Sequence, residues 1–462
     1  MATAIAVFGA NGQTAPTTAV QVNSHAPTYL YGGKASKLEG DVKKRGGDNF
    51  GWKGNGDVTW EVQIAKSGEY SVSLCHAAEP DAVGQPLQIS SGQSRLSYEL
   101  AMTQGVFGNK SYSLAPIQGS LHLVAGTNTI SLSITNAAAG KPILDFRSLE
   151  LTPLSAKAAI EADREEARRS RASAEWLSKA GYGLMFHWTS QSIGTNGTIK
   201  PFDQAVADFP LDQFVEMVAA TGAGYVLFTV GHAQPFCPAP LSSWEKYHPG
   251  KTTKRDLIAE MAQALNAKGI KLMCYFPTHV VGKYPKASGT EFTQMTSDIL
   301  KEFGERYREK VVGYWFDGFY QCFEKYPDFS FRDFSKVCKT GNSERIIAVN
   351  SWIYPNVTEW QDYWAGETAS PVALPVNGTN ARGPGQGLRY QALLIMEPYW
   401  VQEKVEMPKP KFDAQMLGDY ISGCMKNGGA VTINLGIYQD GSVDPRALEV
   451  FKEVRQRIRK EQ

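Results

Sequence analysis

The sequence predicts a multidomain protein: an N-terminal all-β sandwich, jelly-roll-like, followed by an α/β catalytic domain of the (β/α)8, TIM-like barrel class. Three observations predict it. The chain has 462 residues, long enough for two or three domains. Its pattern changes near residue 153, from short runs of period two to apolar runs separated by amphipathic helices. About eight such runs follow over roughly 250 residues, which suits a closed barrel better than an open sheet.

Composition narrows the function classes. Hydrophobic residues make up 42% and charged residues 20%, the proportions of an ordinary folded protein. The 47 basic and 46 acidic side chains nearly cancel. That balance gives no electrostatic basis for binding nucleic acid or an anionic membrane. No run approaches the roughly 18 apolar residues of a membrane span. The cysteines (Cys75, Cys237, Cys274, Cys322, Cys338, Cys424) lack CxxC spacing, so neither a zinc cage nor a disulfide framework is expected. Cys75, Cys274 and Cys424 lie among apolar or small residues and read as buried thiols.

Residues 1–22 read as a flexible N-terminus. The opening "MATAIAVFGANGQTAPTT" lacks a basic region, the first lysine being Lys34. It reads either as the remainder of a trimmed signal peptide or as the plain start of the chain. Residues 23–153 carry the β domain. Its runs "VTWEVQIA", "EYSVSLCHA", "LQISSG", "GSLHLVAG", "NTISLSIT" and "DFRSLELTP" alternate in polarity and are broken by Gly, Asn and Pro. Residues 154–181 have strong helix formers, acids early, bases later and Gly181 at the end, and read as a solvated connecting helix.

Residues 182–462 form the barrel. Its strands are "YGLMFHW", "GYVLFTV", "IKLMCYF", "VVGYWFDG", "RIIAVNSW", "EWQDYW", "QALLIMEPYW" and "AVTINLG". Near-continuous apolar strands between helices mean a mainly parallel sheet covered on both faces. No Gly-rich phosphate fingerprint follows the first strand, which argues against a dinucleotide fold.

In such barrels the C-terminal strand ends face the active site. His187 and Trp188 close the first strand, His232 follows the second and His279 the third. Asp317 ends the fourth, preceded by Trp315. Glu359, Asp362 and Glu367 lie around the sixth, and Glu397 and Trp400 end the seventh. A single one of these could cap a loop, and Asp317-Gly318 could be a turn pair. Acids, imidazoles and indoles converging from several strand ends suit carbohydrate chemistry. Aromatic rings cover the apolar faces of a sugar, polar groups bind its hydroxyls, and two carboxyl groups cleave the glycosidic bond. No HExxH or comparable ligand pair appears, so neither metal nor cofactor is expected.

Over residues 180–460 the sequence resembles the α-L-fucosidases of glycoside hydrolase family 29. The resemblance rests on "YGLMFHW", "FDQAVADFPLDQFVEMVAATGAGYVLFT", "KRDLIAEMAQALNAKGIKLMCYF", "GYWFDG" and "CMKNGGAVTINLGIYQDGSVDP", in that order. It implies an exo-acting retaining hydrolase with Asp317 as nucleophile. His187 and His232 would bind sugar hydroxyls, and Trp188 would line the pocket. For the acid/base, "QDYWAGE" puts Glu367 first and Glu359 second, with Glu397 shaping the pocket. His279, Trp315 and Trp400 complete the expected substrate contacts.

One departure bears on specificity. Where the family carries Lys-His-His-Asp-Gly-Phe, this chain reads "VGHAQPF", with Ala233 and Gln234 in place of the second His and the Asp. A different sugar, such as α-L-galactose, and a non-catalytic sugar binder therefore stand as alternatives. The family also often carries a C-terminal β-domain, and this sequence stops at Gln462. The N-terminal domain resembles carbohydrate-binding modules, through "FGWKGNGDVTWEVQIAKSGEYSVSLCHAA" and the Gly-x-Asn-Thr run. That implies sugar binding or structural support, with Trp52 and Trp60 as core candidates. The expected partner is a glycan, and secretion or periplasmic export is expected by analogy.

Overall fold

The computed structural model describes residues 19–45, 49–103, 112–319, 325–326, 328–352, 354, 358–371, 374 and 387–461. Most of the expected flexible N-terminus, residues 1–18, and Cys322 lie outside them. The chain divides into two compact units, Met1–Thr103 with Ala115–Ile160, and Gln104–Leu114 with Glu161–Gln462. Among the described residues no helix is long and apolar enough to cross a membrane. The five described cysteines are free and buried.

The first unit is all-β, with ten strands hydrogen-bonded into one branched sheet. They are β1 (Val20–Val22), β2 (Thr28–Tyr31), β3 (Lys37–Lys44), β4 (Phe50–Ile64), β5 (Gly68–Ala78), β6 (Pro86–Ser91), β7 (Ser94–Glu99), β8 (Ser113–Leu123), β9 (Gly126–Ile134) and β10 (Leu144–Pro153). The order runs β7-β6-β9-β4-β10-β5-β8, with β1 and β3 also on β4 and β2 on β10. The branch arises in β4, whose Gly56–Ile64 stretch pairs with β9 while Phe50–Trp52 pairs with β10. β1 lies within the stretch expected to be flexible, and it pairs in parallel with the end of β4. β3 was not legible as a strand because only Val42 of its eight residues is buried, leaving no alternation to read. Trp52 and Trp60 are core residues, packed with Phe50 and Phe146. The Trp60 indole N–H donates to the Tyr31 carbonyl at 2.9 Å.

The stretch expected to be one connecting helix is broken. A helix covers Lys157–Arg169 and a second, short one Glu175–Lys179. Between them the Ala172 N–H donates to the Asp362 carboxylate at 2.7 Å, taking up a donor that would otherwise need a helical partner.

The second unit is a barrel of eight parallel strands. These are β11 (Tyr182–Phe186), β12 (Tyr225–Thr229), β13 (Lys271–Pro277), β14 (Val311–Asp317), β15 (Ile346–Val349), β16 (Tyr363–Ala369), β17 (Arg389–Ile395) and β18 (Ala430–Leu435). Neighbours follow chain order, with β18 pairing β11, and a parallel bridge between Asn350 and Ala365 links β15 to β16. Each strand is buried on both faces, which is why its sequence is apolar throughout. The two faces separate cleanly all the same. Leu184, Phe186, Phe276, Tyr314 and Phe316 pack outward with the helices. Met185, Leu227, Met273, Tyr275, Trp315 and Tyr363 fill the interior.

The Arg255-Asp256-Leu257 motif serves this packing. Asp256 caps the helix Leu257–Ala267 by accepting the Ala259 N–H at 2.9 Å, and also binds Arg306 and Tyr307. Arg255 donates to the carbonyls of Val206, Ala207 and Phe209.

Candidate active site

Inward phase decides which side chains reach the barrel mouth. Counting along β14, Gly313, Trp315 and Asp317 point inward, and Asp317 is the last of them. The next residue, Gly318, has φ +77, a left-handed conformation that a side chain would strain. The strand thus ends on the acid and turns at once. The turn-pair reading of Asp317 does not account for its side chain, which is held from two neighbouring strands. The Tyr275 hydroxyl donates to Oδ2 at 2.8 Å, and the Asn350 amide donates to Oδ1 at 3.0 Å.

Glu367 comes up in the same phase on β16. Its Oε2 accepts the Asn350 Nδ2–H at 2.6 Å and the Trp352 indole N–H at 3.0 Å. The two acids therefore share one nitrogen. The sum of its two bonds, 5.6 Å, is the upper limit on the distance between Asp317 Oδ1 and Glu367 Oε2. Burial, and then the negative charge of Asp317, push the Glu367 carboxyl up to about 8, against the lowering effect of the two N–H donors.

Imidazoles and indoles line the opposite side. His187 lies 5.0 Å from Tyr275, 5.2 Å from His232 and 5.2 Å from Trp400, measured between ring centroids. His187 is buried, and that burial lowers its pKa to about 3, so it is neutral. Its Nδ1 is 2.6 Å from Asn434 Oδ1, whose amide nitrogen in turn donates to the Trp400 carbonyl. Nδ1 is then the protonated nitrogen, and Nε2 is left as an acceptor for a hydroxyl. Burial likewise lowers the His232 pKa, and its buried Nδ1 has no partner among the described residues. Trp315 stacks beneath Tyr275 at 5.4 Å as the floor of the bowl.

Three expected residues, Glu359, Asp362 and Trp188, are placed elsewhere. Glu359 lies before β16 begins, because the sixth strand is "YWAGETA" rather than "EWQDYW". It is thus at the opposite end of the strand from Glu367, paired with Arg171. Asp362 is at that same end, bound by Lys339. Trp188 points outward from β11 and is 1% exposed among Phe202, Phe209 and Phe228. Its indole N–H donates to the Gln439 carbonyl at 3.1 Å, so it anchors the loop after β18 instead of lining the bowl. His279 is exposed and turns its ring to the His232 carbonyl, 2.9 Å away. Glu397 is buried, accepts the Gly436 N–H at 2.8 Å, and has its pKa raised to about 7 by burial. It holds the loop after β17 to the end of β18.

Tyr275, Asn350, Trp352 and Asn434 were not singled out from sequence. All four lie in the runs read as strands, but those runs are apolar on both faces, so the sequence does not show which phase of each points inward. Trp352 closes the run "RIIAVNSW", two residues beyond Asn350. It follows β15 at φ +53, and its indole returns to Glu367 through that turn.

Comparison with known proteins finds a family model that matches much of the second unit. Residues 200–460 match the family model described as Alpha-L-fucosidase. Similar solved structures include a bacterial fucosidase bound to a monovalent iminocyclitol inhibitor (18% identity over 62% of this chain and 74% of that one, TM-score 0.47). Another is the α-L-fucosidase AlfC from Lactobacillus casei with α-L-fucose (16%, 62% and 98%, TM-score 0.46). A third is a family 29 α-L-fucosidase from Bacteroides thetaiotaomicron trapped as a covalent intermediate (20%, 61% and 73%, TM-score 0.46). No curated protein matches the chain. The matched segment spans more than half of the sequence and contains Asp317, Asn350 and Glu367, and the chain is a glycosidase belonging to the α-L-fucosidase family.

Proposed function

We propose that the chain is an exo-acting, retaining hydrolase that releases a terminal α-L-fucosyl residue from a glycan by double displacement. The observation that carries this reading is the shared Asn350 nitrogen, which keeps the nearest oxygens of Asp317 and Glu367 within 5.6 Å. Retaining glycosidases hold their carboxyl groups about 5–5.5 Å apart, whereas inverting ones leave about 6.5–9.5 Å for a water.

In the first step Asp317 attacks the anomeric carbon while Glu367 protonates the departing oxygen. A carboxyl raised to about 8 keeps its proton at neutral pH and has it ready to give. Once Asp317 is an ester its charge is gone. One of the two causes that raise the Glu367 pKa is then removed, so the same group becomes a better match for deprotonating water in the second step. Tyr275 and Asn350 keep the Asp317 carboxylate oriented toward the sugar. Neutral His187 accepts a hydroxyl proton at Nε2, and Trp400 covers an apolar sugar edge.

A second reading keeps the chemistry and changes the sugar. Gln234 stands where the family has Asp, and its Oε1 accepts the Ser190 hydroxyl at 3.1 Å on the exposed rim. α-L-Galactose is the alternative this suggests. For the N-terminal unit the reading is a jelly-roll-like sandwich in a structural role, since Trp52 and Trp60 are committed to its core.

The test is hydrolysis of 4-nitrophenyl α-L-fucoside and α-L-galactoside, with the first-formed anomer followed by proton NMR. The α-anomer of fucose appearing first supports the proposal. The β-anomer appearing first rules out double displacement, and preference for galactoside transfers the proposal to the second sugar. Glycan binding without turnover of any substrate would leave a sugar-binding relative.

A further inference from the structure

We propose that Asn350 and Trp352 are positioning residues that occupy Oε2 of Glu367, so that the proton given and taken back in the reaction travels on Oε1. This rests on the reading of Glu367 as acid/base and says which of its oxygens does the work.

The contacts of the two oxygens are unequal. Oε2 accepts two N–H groups, from Asn350 Nδ2 at 2.6 Å and Trp352 Nε1 at 3.0 Å. A carboxyl proton placed there would face donor hydrogens and break at least one of these bonds. Oε1 accepts no hydrogen bond among the described residues, and Glu367 keeps partial exposure. The protonated form therefore has one place for its hydrogen.

Both donors are themselves fixed. The Asn350 side-chain oxygen accepts the Trp352 backbone N–H at 2.9 Å, which prevents the amide from flipping its oxygen toward the acids. The Asn350 backbone is anchored by its own N–H on the Phe316 carbonyl at 2.7 Å. Trp352 has φ +53, a region that residues with side chains seldom adopt, and the turn brings its indole back over the acid. A non-glycine residue in that conformation points to a site where placement outweighs backbone preference.

The steps balance on this arrangement. In the first, the Oε1 proton passes to the glycosidic oxygen as the C–O bond breaks and the bond from Asp317 to the anomeric carbon forms. The charge left on Glu367 is received by the two N–H groups at Oε2. In the second, Oε1 takes a proton from the attacking water, the ester bond breaks, and its electron pair returns to Asp317. The titratable groups facing Glu367 are Asp317, across Asn350, and Tyr275 beyond it.

The test is Trp352→Phe, which keeps a ring and removes the donor, with Asn350→Ala beside it. α-L-Fucosides of 2,4-dinitrophenol, 4-nitrophenol and 4-methoxyphenol are assayed from pH 5 to 10. Without the N–H the carboxylate form of Glu367 is less stable, so the acid is weaker and its pKa higher. The expected result is an alkaline limb of kcat/KM moved to higher pH. A loss several-fold larger for methoxyphenyl than for dinitrophenyl fucoside should accompany it. Equal losses on all three substrates with an unmoved limb would mean the bonds only hold the fold, and would overturn the proposal.

A readout without turnover is the 13C titration of the Glu367 carboxyl, assigned by its disappearance in Glu367→Gln. It should move upward in Trp352→Phe, and an unmoved titration overturns the proposal even if no fucoside is cleaved. If Glu367→Gln leaves the leaving-group dependence unchanged, the acid/base reading fails first, and this inference with it.

Discussion

Asn350 Nδ2 lies 3.0 Å from Asp317 Oδ1 and 2.6 Å from Glu367 Oε2, so one amide ties together acids from β14 and β16. Asn350 comes from the end of β15, between them. Three adjacent strands thus deliver a donor flanked by two carboxyl groups. Burial and the neighbouring charge of Asp317 both favour the protonated form of Glu367 there.

The first expected outcome concerns pH. A Glu367 pKa of about 8 means the acid is present below that value and lost above it. kcat/KM on 4-nitrophenyl fucoside should therefore hold through neutral pH and decline about tenfold per unit above pH 8. A profile already falling from pH 5, or flat to pH 10, would contradict the assignment.

Asp317→Ala should lower kcat by about three orders of magnitude or more while the protein stays folded. Glycosyl azide of inverted anomeric configuration should form when azide is added, because the anion fits the space of the missing carboxylate. Activity surviving the substitution would sink the mechanism.

Glu359 and Glu367 should part company. Glu359→Gln breaks a largely buried pair with Arg171 on the far side of the barrel, and about 3 kcal/mol of stability is at stake there. Its thermal midpoint should drop while kcat and KM hold at 25 °C. Glu367→Gln should do the reverse, losing turnover on poor leaving groups with little change in midpoint.

Trp188→Phe tests the outward placement of that ring. The substitution removes packing volume and the bond to the Gln439 carbonyl, so the expected effect is a lower midpoint with KM on fucoside nearly unchanged. A large rise in KM without loss of stability would put Trp188 back in the pocket.

Acid should weaken both units through buried imidazoles. His187, with a pKa of about 3, and His76, with one of about 4, are neutral in the folded chain and regain ordinary values near 6.5 when unfolded. Their depressed values mean this stability is complete above about pH 6.5. It is lost as pH falls toward 4, at up to about 1.4 kcal/mol per unit for each group. Urea midpoints measured from pH 7 to 4 should fall accordingly, and less steeply in His76→Gln.

What the sequence determined by itself was the set of local periods. Eight apolar runs between helices specify a barrel. Period-two runs specify a β unit before it, and the Asp-Gly pair at the end of "VVGYWFDG" marks a strand that delivers an acid. Those readings follow from burial, which each segment records in its own composition. Tertiary structure alone decided phase and partnership. A strand buried on both faces looks the same whichever side points inward, so Trp188 and His187, adjacent in sequence, could not be told apart. A shift of the sixth strand by four residues put Glu359 at one end of the barrel and Glu367 at the other. Nor does any local pattern record that Asn350 stands between two acids 33 and 17 residues away. Closure of the barrel brings those three side chains together, and the rise of the Glu367 pKa is a property of that meeting.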